Sequence, residues 1–408
     1  MIPLEDARQR VLSRCVRLAP TSVGIDDLYG LVLAAEVSSP ESVPPFDNTA
    51  VDGYAVCSAD ISAPPVTLRV VGELAAGAAP DVVVQAGTAV RIMTGAPLPI
   101  GCDAIVMVED TERLSDGGDV KVSVAVPVGA GIRRAGSDIT KGDVLFDAGV
   151  EVNAAMVGVL SSCNVRVASA HPRPRVAVLS TGDELVDDGG PLRLGQIRES
   201  NRTMLLRLVA EAGCTPVDYG IIRDDESALE HALRAAASQC DAIVTSGGVS
   251  MGDFDVVKMV LSRIADMEWM QIAMKPAKPF AFGEIVDSER RVPVFGLPGN
   301  PVSSFVSFEL LARPALRMMA GHPRATAFRS TATVVVDSDI RRKSDGKVHF
   351  DRVFAYWHED GRLHVRRNDA QASHQLSASA RTNALLEVPD GNGLSAGESA
   401  RALLFGPA

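Results

Sequence analysis

The sequence predicts a multidomain α/β plus β protein, with a doubly wound α/β domain, a β-rich domain before it, a helical linker domain and a small C-terminal β domain of barrel-like texture. Three observations carry this reading. Strands alternate with helices over residues 175–320, starting with the apolar run RVAVLS at 175–180 expected of a strand buried on both faces. Short β-branched runs at 66–71, 88–93 and 104–108, parted by Gly, Pro and Asp turns, mark a β-rich module between about 40 and 150. After 325 the alternation stops, and 331–336, 362–366 and 384–388 read as strands of a third unit.

Each element follows from local chemistry. Leu4, Ala7, Val11, Leu12 and Cys15 share one face of an opening helix over 4–18. Residues 151–168 are apolar and Ala-rich, a second helical stretch leading back towards the first, and His171-Pro172-Arg173-Pro174 forms a joint. In the α/β domain a helix runs from Asn201, a candidate N-cap, to Gly213, a candidate C′ residue. A strand at 215–222, a helix at 226–239, a strand at 241–246 and a helix from about 254 follow. A β-rich excursion covers 268–284, and strand 292–297 leads to Asn300-Pro301, an N-cap followed by N1 of the next helix.

The 408 residues are 46% hydrophobic, which excludes global disorder. A net charge of −11 makes the chain a poor coat for nucleic acid or an anionic membrane, although one focused basic pocket suffices for an anionic small molecule. The six cysteines form no CxxC and the seven histidines no HExxH, so neither a zinc knuckle nor a metalloprotease helix is encoded. The N-terminus has no apolar leader-like segment, and no run approaches the roughly 18 apolar residues of a membrane span. A cytoplasmic protein is expected.

Ligands of open parallel sheets bind beyond the carboxyl ends of the strands. Three such ends carry unusual loops: Thr181-Gly182-Asp183-Glu184, Gly247-Gly248-Val249-Ser250-Met251-Gly252-Asp253-Phe254-Asp255, and Pro298-Gly299-Asn300-Pro301-Val302-Ser303. In the second, glycines let the backbone approach a ligand and turn N–H groups inward, which suits a phosphate. It is not a Walker A loop. The plain alternative is a tight strand-to-helix turn capped by Asp253 or Asp255. Asp183, Glu184, Asp253 and Asp255 fall at one sheet edge, as expected where Mg²⁺ bridges carboxylates and phosphate. Singly, each is an ordinary cap or turn residue. Lys275 and Lys278, in Lys275-Pro276-Ala277-Lys278-Pro279, are placed to hold a phosphate or oxyanion, or else are solvated surface lysines.

Taken in order, these loops resemble the MoeA family of molybdopterin molybdenumtransferases, also represented by the gephyrin E domain. The matching segments are Pro45 to Val56, Met93 to Pro99, Gly136 to Ile139, Ser180 to Leu185, Ser246 to Asp253, Lys275 to Pro279 and Gly296 to Ser303. The resemblance implies four domains: 1–39 with 142–171 as the helical linker, 40–141 as the β-rich domain, 172–322 as a MogA-like α/β molybdopterin-binding domain, and 323–408. It implies insertion of molybdate into adenylylated molybdopterin with release of AMP, assisted by Mg²⁺, in a homodimer. Contacts with the adenylyltransferase and downstream cofactor-handling proteins are implied as well.

Carried over by motif, Thr181, Gly182, Asp183, Gly247, Gly248, Ser250, Gly252, Pro298, Asn300, Pro301 and Ser303 would bind substrate and its phosphates. Lys275 and Lys278 would neutralise the pterin phosphate or hold molybdate, and Glu184 and Asp255 would hold the metal. Asp224 is a further acidic position, while Asp52, Thr94 and Asp138 would reach the cleft across the dimer. Two departures stand out: Ala277 replaces the family's glycine, so the loop is expected to differ slightly, and Gln271 replaces a lysine of some relatives. Two other readings stay open: a MogA-like adenylyltransferase, disfavoured by the extra domains, and a non-catalytic pterin-binding scaffold.

Overall fold

The computed structural model describes residues 1–114, 118–248, 256–368 and 371–406. The central sheet has six strands in the order Thr215–Ile222, Arg175–Thr181, Ala242–Ser246, Arg290–Leu297, Pro279–Asp287 and Ala265–Gln271. The first four are mutually parallel, and the last two form an antiparallel edge. Every residue of Arg175–Thr181 after the first is buried. Its side chains alternate between two cores, Val176 and Val178 on one face, Ala177 and Leu179 on the other, which is why the strand reads as one apolar run.

Helices cover both faces. Leu205 and Val209 of Asn201–Glu211 and Val302 and Val306 of Pro301–Ser307 pack on the first core. Leu229 and Leu233 of Glu226–Gln239 and Val257 and Val260 of Val256–Ile264 pack on the second. From Arg175–Thr181 the chain steps to one side of the sheet, then returns to Ala242–Ser246 on the other, so the order reverses between these two strands. That reversal opens a crevice.

The opening helix is Leu4–Arg14, and its buried Ala7, Val11 and Leu12 join the first α/β core. The second helix, Ala154–Ser162, is shorter than its apolar stretch and does not return to the first. It ends at Asn164 in the left-handed conformation (φ 58°), after which Val167–His171 pairs with Thr21–Gly24 and Val32–Leu33. Met156 and Leu160 then bury against Ile25, Leu28 and Leu33 in a separate core.

The β-rich module is a six-stranded sheet in the order Ala104–Met107, Gly53–Val56, Thr88–Ile92, Val66–Leu74, Asp119–Val122 and Thr111–Arg113. At the C-terminus Val348–Trp357, Leu363–Arg367, Thr331–Val336, Ser399–Leu404 and Ala384–Val388 pair in sequence, and the last pairs back to the first, closing a five-stranded barrel. Met274–Lys275 adds to this barrel in parallel with Val348 and His349, which ties the lysine loop to the C-terminal domain. All six cysteines are free, and Cys15, Cys163, Cys214 and Cys240 are buried core residues.

Candidate active site

Ser180, Ser246 and Leu297 lie in one register across three parallel strands, so their following loops leave the sheet at the same edge. They line a cleft of about 660 Å³ that holds Thr181, Gly182, Glu184, Gly247, Gly248 and Asn300. Pro298, Pro301 and Ser303 also line it. The backbone geometry needs glycine at two of these places. Gly247 has φ +98°, and a Cβ there would come within 3.1 Å of Thr181 Oγ1. Gly182 has φ +144°, and a Cβ would meet Glu184 Oε2 at 2.4 Å, so the Glu184 carboxylate folds directly over the glycine.

Asp224 joins the same cleft because Ile222 pairs with Thr181, which sets the two strand ends side by side. Its backbone N–H donates to Asp183 Oδ1 at 3.4 Å. The carboxylates of Glu184 and Asp224 are exposed and form no ion pair among the described residues. Two carboxylates without an ion-pair partner among the described residues, beside a glycine-lined strand end, are oxygen donors of the type Mg²⁺ prefers, so these residues fit that ion. Val249 to Asp255, with Ser250, Gly252, Asp253 and the second expected ligand Asp255, lie outside the described residues.

A second cleft, of about 480 Å³, adjoins the first through Pro279 and Ser303, which line both. It contains Lys275 and Lys278 and, from the C-terminal domain, Lys347, His349, Arg367 and Ser373. Burial pushes the pKa of His349 down. Ala277 adopts φ +73° with only 3% of its surface exposed, so the loop takes the left-handed turn expected of glycine and does not differ for want of it. The buried methyl offsets part of the strain. Gln271 lines neither cleft, and its carbonyl accepts from Ile2 N–H at 2.8 Å, so it sits in the sheet edge.

Several cleft residues escaped the sequence reading. Asn201 is the first helical residue and Ser200 the cap, because Glu199 already caps the helix through Arg202 N–H at 2.6 Å. That frees the Asn201 side chain. Its Nδ2 donates to Ser246 Oγ and to Gly299 O, both at 2.7 Å, and its buried Oδ1 has no partner among the described residues. Glu199, with a side chain 1% exposed, accepts from Ser180 Oγ at 2.9 Å. Asn300 is an N-cap followed by Pro301, yet its side chain donates to Ser373 Oγ at 3.1 Å instead of capping.

Asp52 and Thr94 are neighbours in the β-rich module. Asp52 Oδ1 accepts from both Thr94 N–H and Thr94 Oγ1 at 2.7 Å, which holds the Asp52 carboxyl below its usual range. Asp138 is exposed in the same module. None of the three lines the 660 Å³ cleft of its own chain.

Residues 2–164 match the model of the MoeA N-terminal region (domains I and II), 177–318 that of a probable molybdopterin binding domain, and 334–405 that of the MoeA C-terminal region (domain IV). A molybdopterin molybdenumtransferase of Haemophilus influenzae is 36% identical over 405 residues, covering 98% of this chain and 97% of the relative. Molybdopterin molybdenumtransferase 2 of Mycobacterium tuberculosis is 39% identical over 396 residues, 94% of each chain. Among solved structures, a molybdopterin biosynthesis MoeA protein from Pyrococcus horikoshii superposes at 30% identity with TM-score 0.81 over all of both chains. Another solved structure, of a molybdopterin biosynthesis MoeA protein from Pyrococcus horikoshii OT3, gives 27% identity and TM-score 0.80 over 99% of this chain and all of that one. With its relatives matched from end to end in sequence and in fold, the chain belongs to the MoeA family.

Proposed function

We propose that the protein is a molybdopterin molybdenumtransferase that takes adenylylated molybdopterin and molybdate and releases AMP. The observation that carries the reading is the continuity of the two clefts, one with a glycine-lined, carboxylate-rimmed strand edge and the other with the lysine pair. A pyrophosphate-bridged pterin and an oxyanion need those two environments side by side.

Each part has a role set by its chemistry. Gly182, Gly247 and Gly248 let the backbone close on the phosphates, and Thr181, Ser303 and the Oδ1 of Asn201, unpartnered among the described residues, offer hydrogen bonds to the substrate. Lys275 and Lys278 offset the charge of the pterin phosphate or of molybdate. Glu184 and Asp224, with Asp255 outside the described residues, would hold Mg²⁺, which when bound neutralises charge on the pyrophosphate. We further propose a homodimer in which Asp52, Thr94 and Asp138 of one subunit complete the cleft of the other. Their absence from the cleft of their own chain supports this. Among the described residues no helix is long and apolar enough to cross a membrane, in keeping with a cytoplasmic enzyme that serves an adenylyltransferase and downstream cofactor-handling proteins.

The test is a turnover assay with purified protein, adenylylated molybdopterin, Mg²⁺ and molybdate, following AMP. Molybdate-dependent AMP release supports the transferase. Pyrophosphate release from ATP would instead make it an adenylyltransferase. Tight pterin binding without turnover, unchanged in Glu184→Ala, would make it a scaffold.

A further inference from the structure

The C-terminal barrel carries a group of chemistry-bearing side chains that neither cleft uses. His358, Asp360 and His364 lie on the hairpin joining Val348–Trp357 to Leu363–Arg367. One nitrogen or carboxylate oxygen from each lies within 4.8 Å of the other two. The two imidazole rings are stacked, with centroids 4.4 Å apart. The Asp360 backbone N–H donates to His358 Nδ1 at 3.3 Å, which marks that nitrogen as an acceptor.

His364 is held from outside the hairpin. Its Nδ1 is 2.8 Å from Asp337 Oδ1, and its Nε2 is 3.1 Å from Asp360 Oδ2. The Tyr356 hydroxyl donates to the other oxygen of Asp337 at 2.8 Å. Asp337 follows Thr331–Val336, whose Val335 is the register partner of His364, so the support comes from the neighbouring strand. Asp337 on one ring nitrogen orients His364 so that the other, Nε2, faces Asp360. This is the arrangement that raises the basicity of a metal-ligating histidine.

We propose that His358, Asp360 and His364 form a binding site for a borderline divalent transition metal such as Zn²⁺ or Co²⁺, with Asp337 and Tyr356 as the hydrogen-bonded support of His364. Two imidazoles and one carboxylate, with a fourth position left to water, are a normal donor set for such ions and a poor one for Mg²⁺. Metal–ligand bonds of about 2.0–2.1 Å in a tetrahedron place ligand atoms about 3.3 Å apart. The exposed side chains of His358 and Asp360 close the remaining gap by rotation. None of these residues lines either cleft. The bound ion would clip the hairpin to the adjacent strand without entering turnover.

The test uses the full-length chain, stripped with chelator and then titrated with Co²⁺ alone. Wild type should take up one Co²⁺ per chain with visible ligand-field bands, displaced by Zn²⁺, and without the near-ultraviolet thiolate bands that binding at a cysteine would give. The His358→Ala/His364→Ala variant should lose this binding, and Asp337→Asn should weaken it about 10- to 100-fold although it supplies no ligand. Should the double variant fail to fold by circular dichroism, His358→Ala alone decides, since that side chain is exposed. No nitrogen- and oxygen-ligated cobalt spectrum at micromolar metal, or the same spectrum in the variants, overturns the proposal.

Discussion

The side-chain amide of Asn201 donates to Ser246 Oγ at 2.7 Å, which ties the start of a helix to the end of a parallel strand. Because the same nitrogen reaches Gly299 O, one residue fastens two of the three loops that shape the larger cleft. Asn201→Ala leaves a buried hydroxyl and a carbonyl short of a donor, at a cost of about 1–3 kcal/mol. The looser loops should also raise KM for the adenylylated pterin more than they lower kcat. Urea unfolding and steady-state AMP release read the two effects. An unchanged unfolding midpoint would show that the amide does not hold the loops.

Gly182 separates stability from catalysis. Alanine at φ +144°, in a region almost reserved for glycine, costs about 1–3 kcal/mol. The new Cβ would stand 2.4 Å from Glu184 Oε2, so the carboxylate must swing away. Glu184→Gln removes the negative charge at an exposed site and should leave stability within about 0.5 kcal/mol. Both variants should lose about 10²-fold in kcat for AMP release, the usual effect of one lost electrostatic group in an active site. Only Gly182→Ala should also lower the denaturation midpoint. Full activity in Glu184→Gln would remove that residue from the metal-binding set.

How far the sequence carried the reading depends on the range of the interaction. The buried strand Arg175–Thr181 was legible because an apolar run is a local signal, and so was the C′ glycine Gly213 at φ +83°. Gly182, Glu184 and Gly247 were legible because strand ends in parallel sheets gather at one edge. Asn201 was misread as a cap, since nothing nearby says that Glu199 takes that duty. Lys347, His349 and Arg367 were missed entirely. They enter the second cleft only because Met274–Lys275 pairs with Val348 and His349, a contact between segments about 75 residues apart that no local pattern encodes.

Stability should fall with acid through His322. Burial, with the Arg317 guanidinium beside it, pushes the imidazole down to about 4 from its ordinary 6.5. The folded chain therefore binds fewer protons than the unfolded one between those values. The stabilisation is complete above the unfolded pKa and is lost as pH falls from about 6.5 towards 4. Glu151, with its carboxylate 3.9 Å from Nε2, opposes the shift in part. Between pH 7 and pH 5 this one group contributes a loss of about 2 kcal/mol. Urea melts at the two pH values should show a smaller drop for His322→Gln than for wild type. Equal drops would mean that the imidazole titrates alike in the folded and unfolded chain.

The lysine loop offers a test in which opposing terms nearly cancel. Ala277 holds φ +73°, a conformation that costs a non-glycine residue about 1–2 kcal/mol. Ala277→Gly relieves that strain. It also frees the unfolded chain, which costs about 0.4–1 kcal/mol, and empties a methyl from the core it shares with Met274 and Phe280, worth up to about 0.8 kcal/mol. The net change should stay within about 1 kcal/mol of zero. Because the backbone already turns as glycine would, Lys275 and Lys278 keep their places and KM for molybdate should not move. Lys278→Ala, with no strain term, should raise that KM by about tenfold or more, in line with losing a charged contact of about 1.5–3 kcal/mol. A large gain in stability in Ala277→Gly would show that strain dominates the loop. A changed KM in that variant would show that alanine had displaced the lysines.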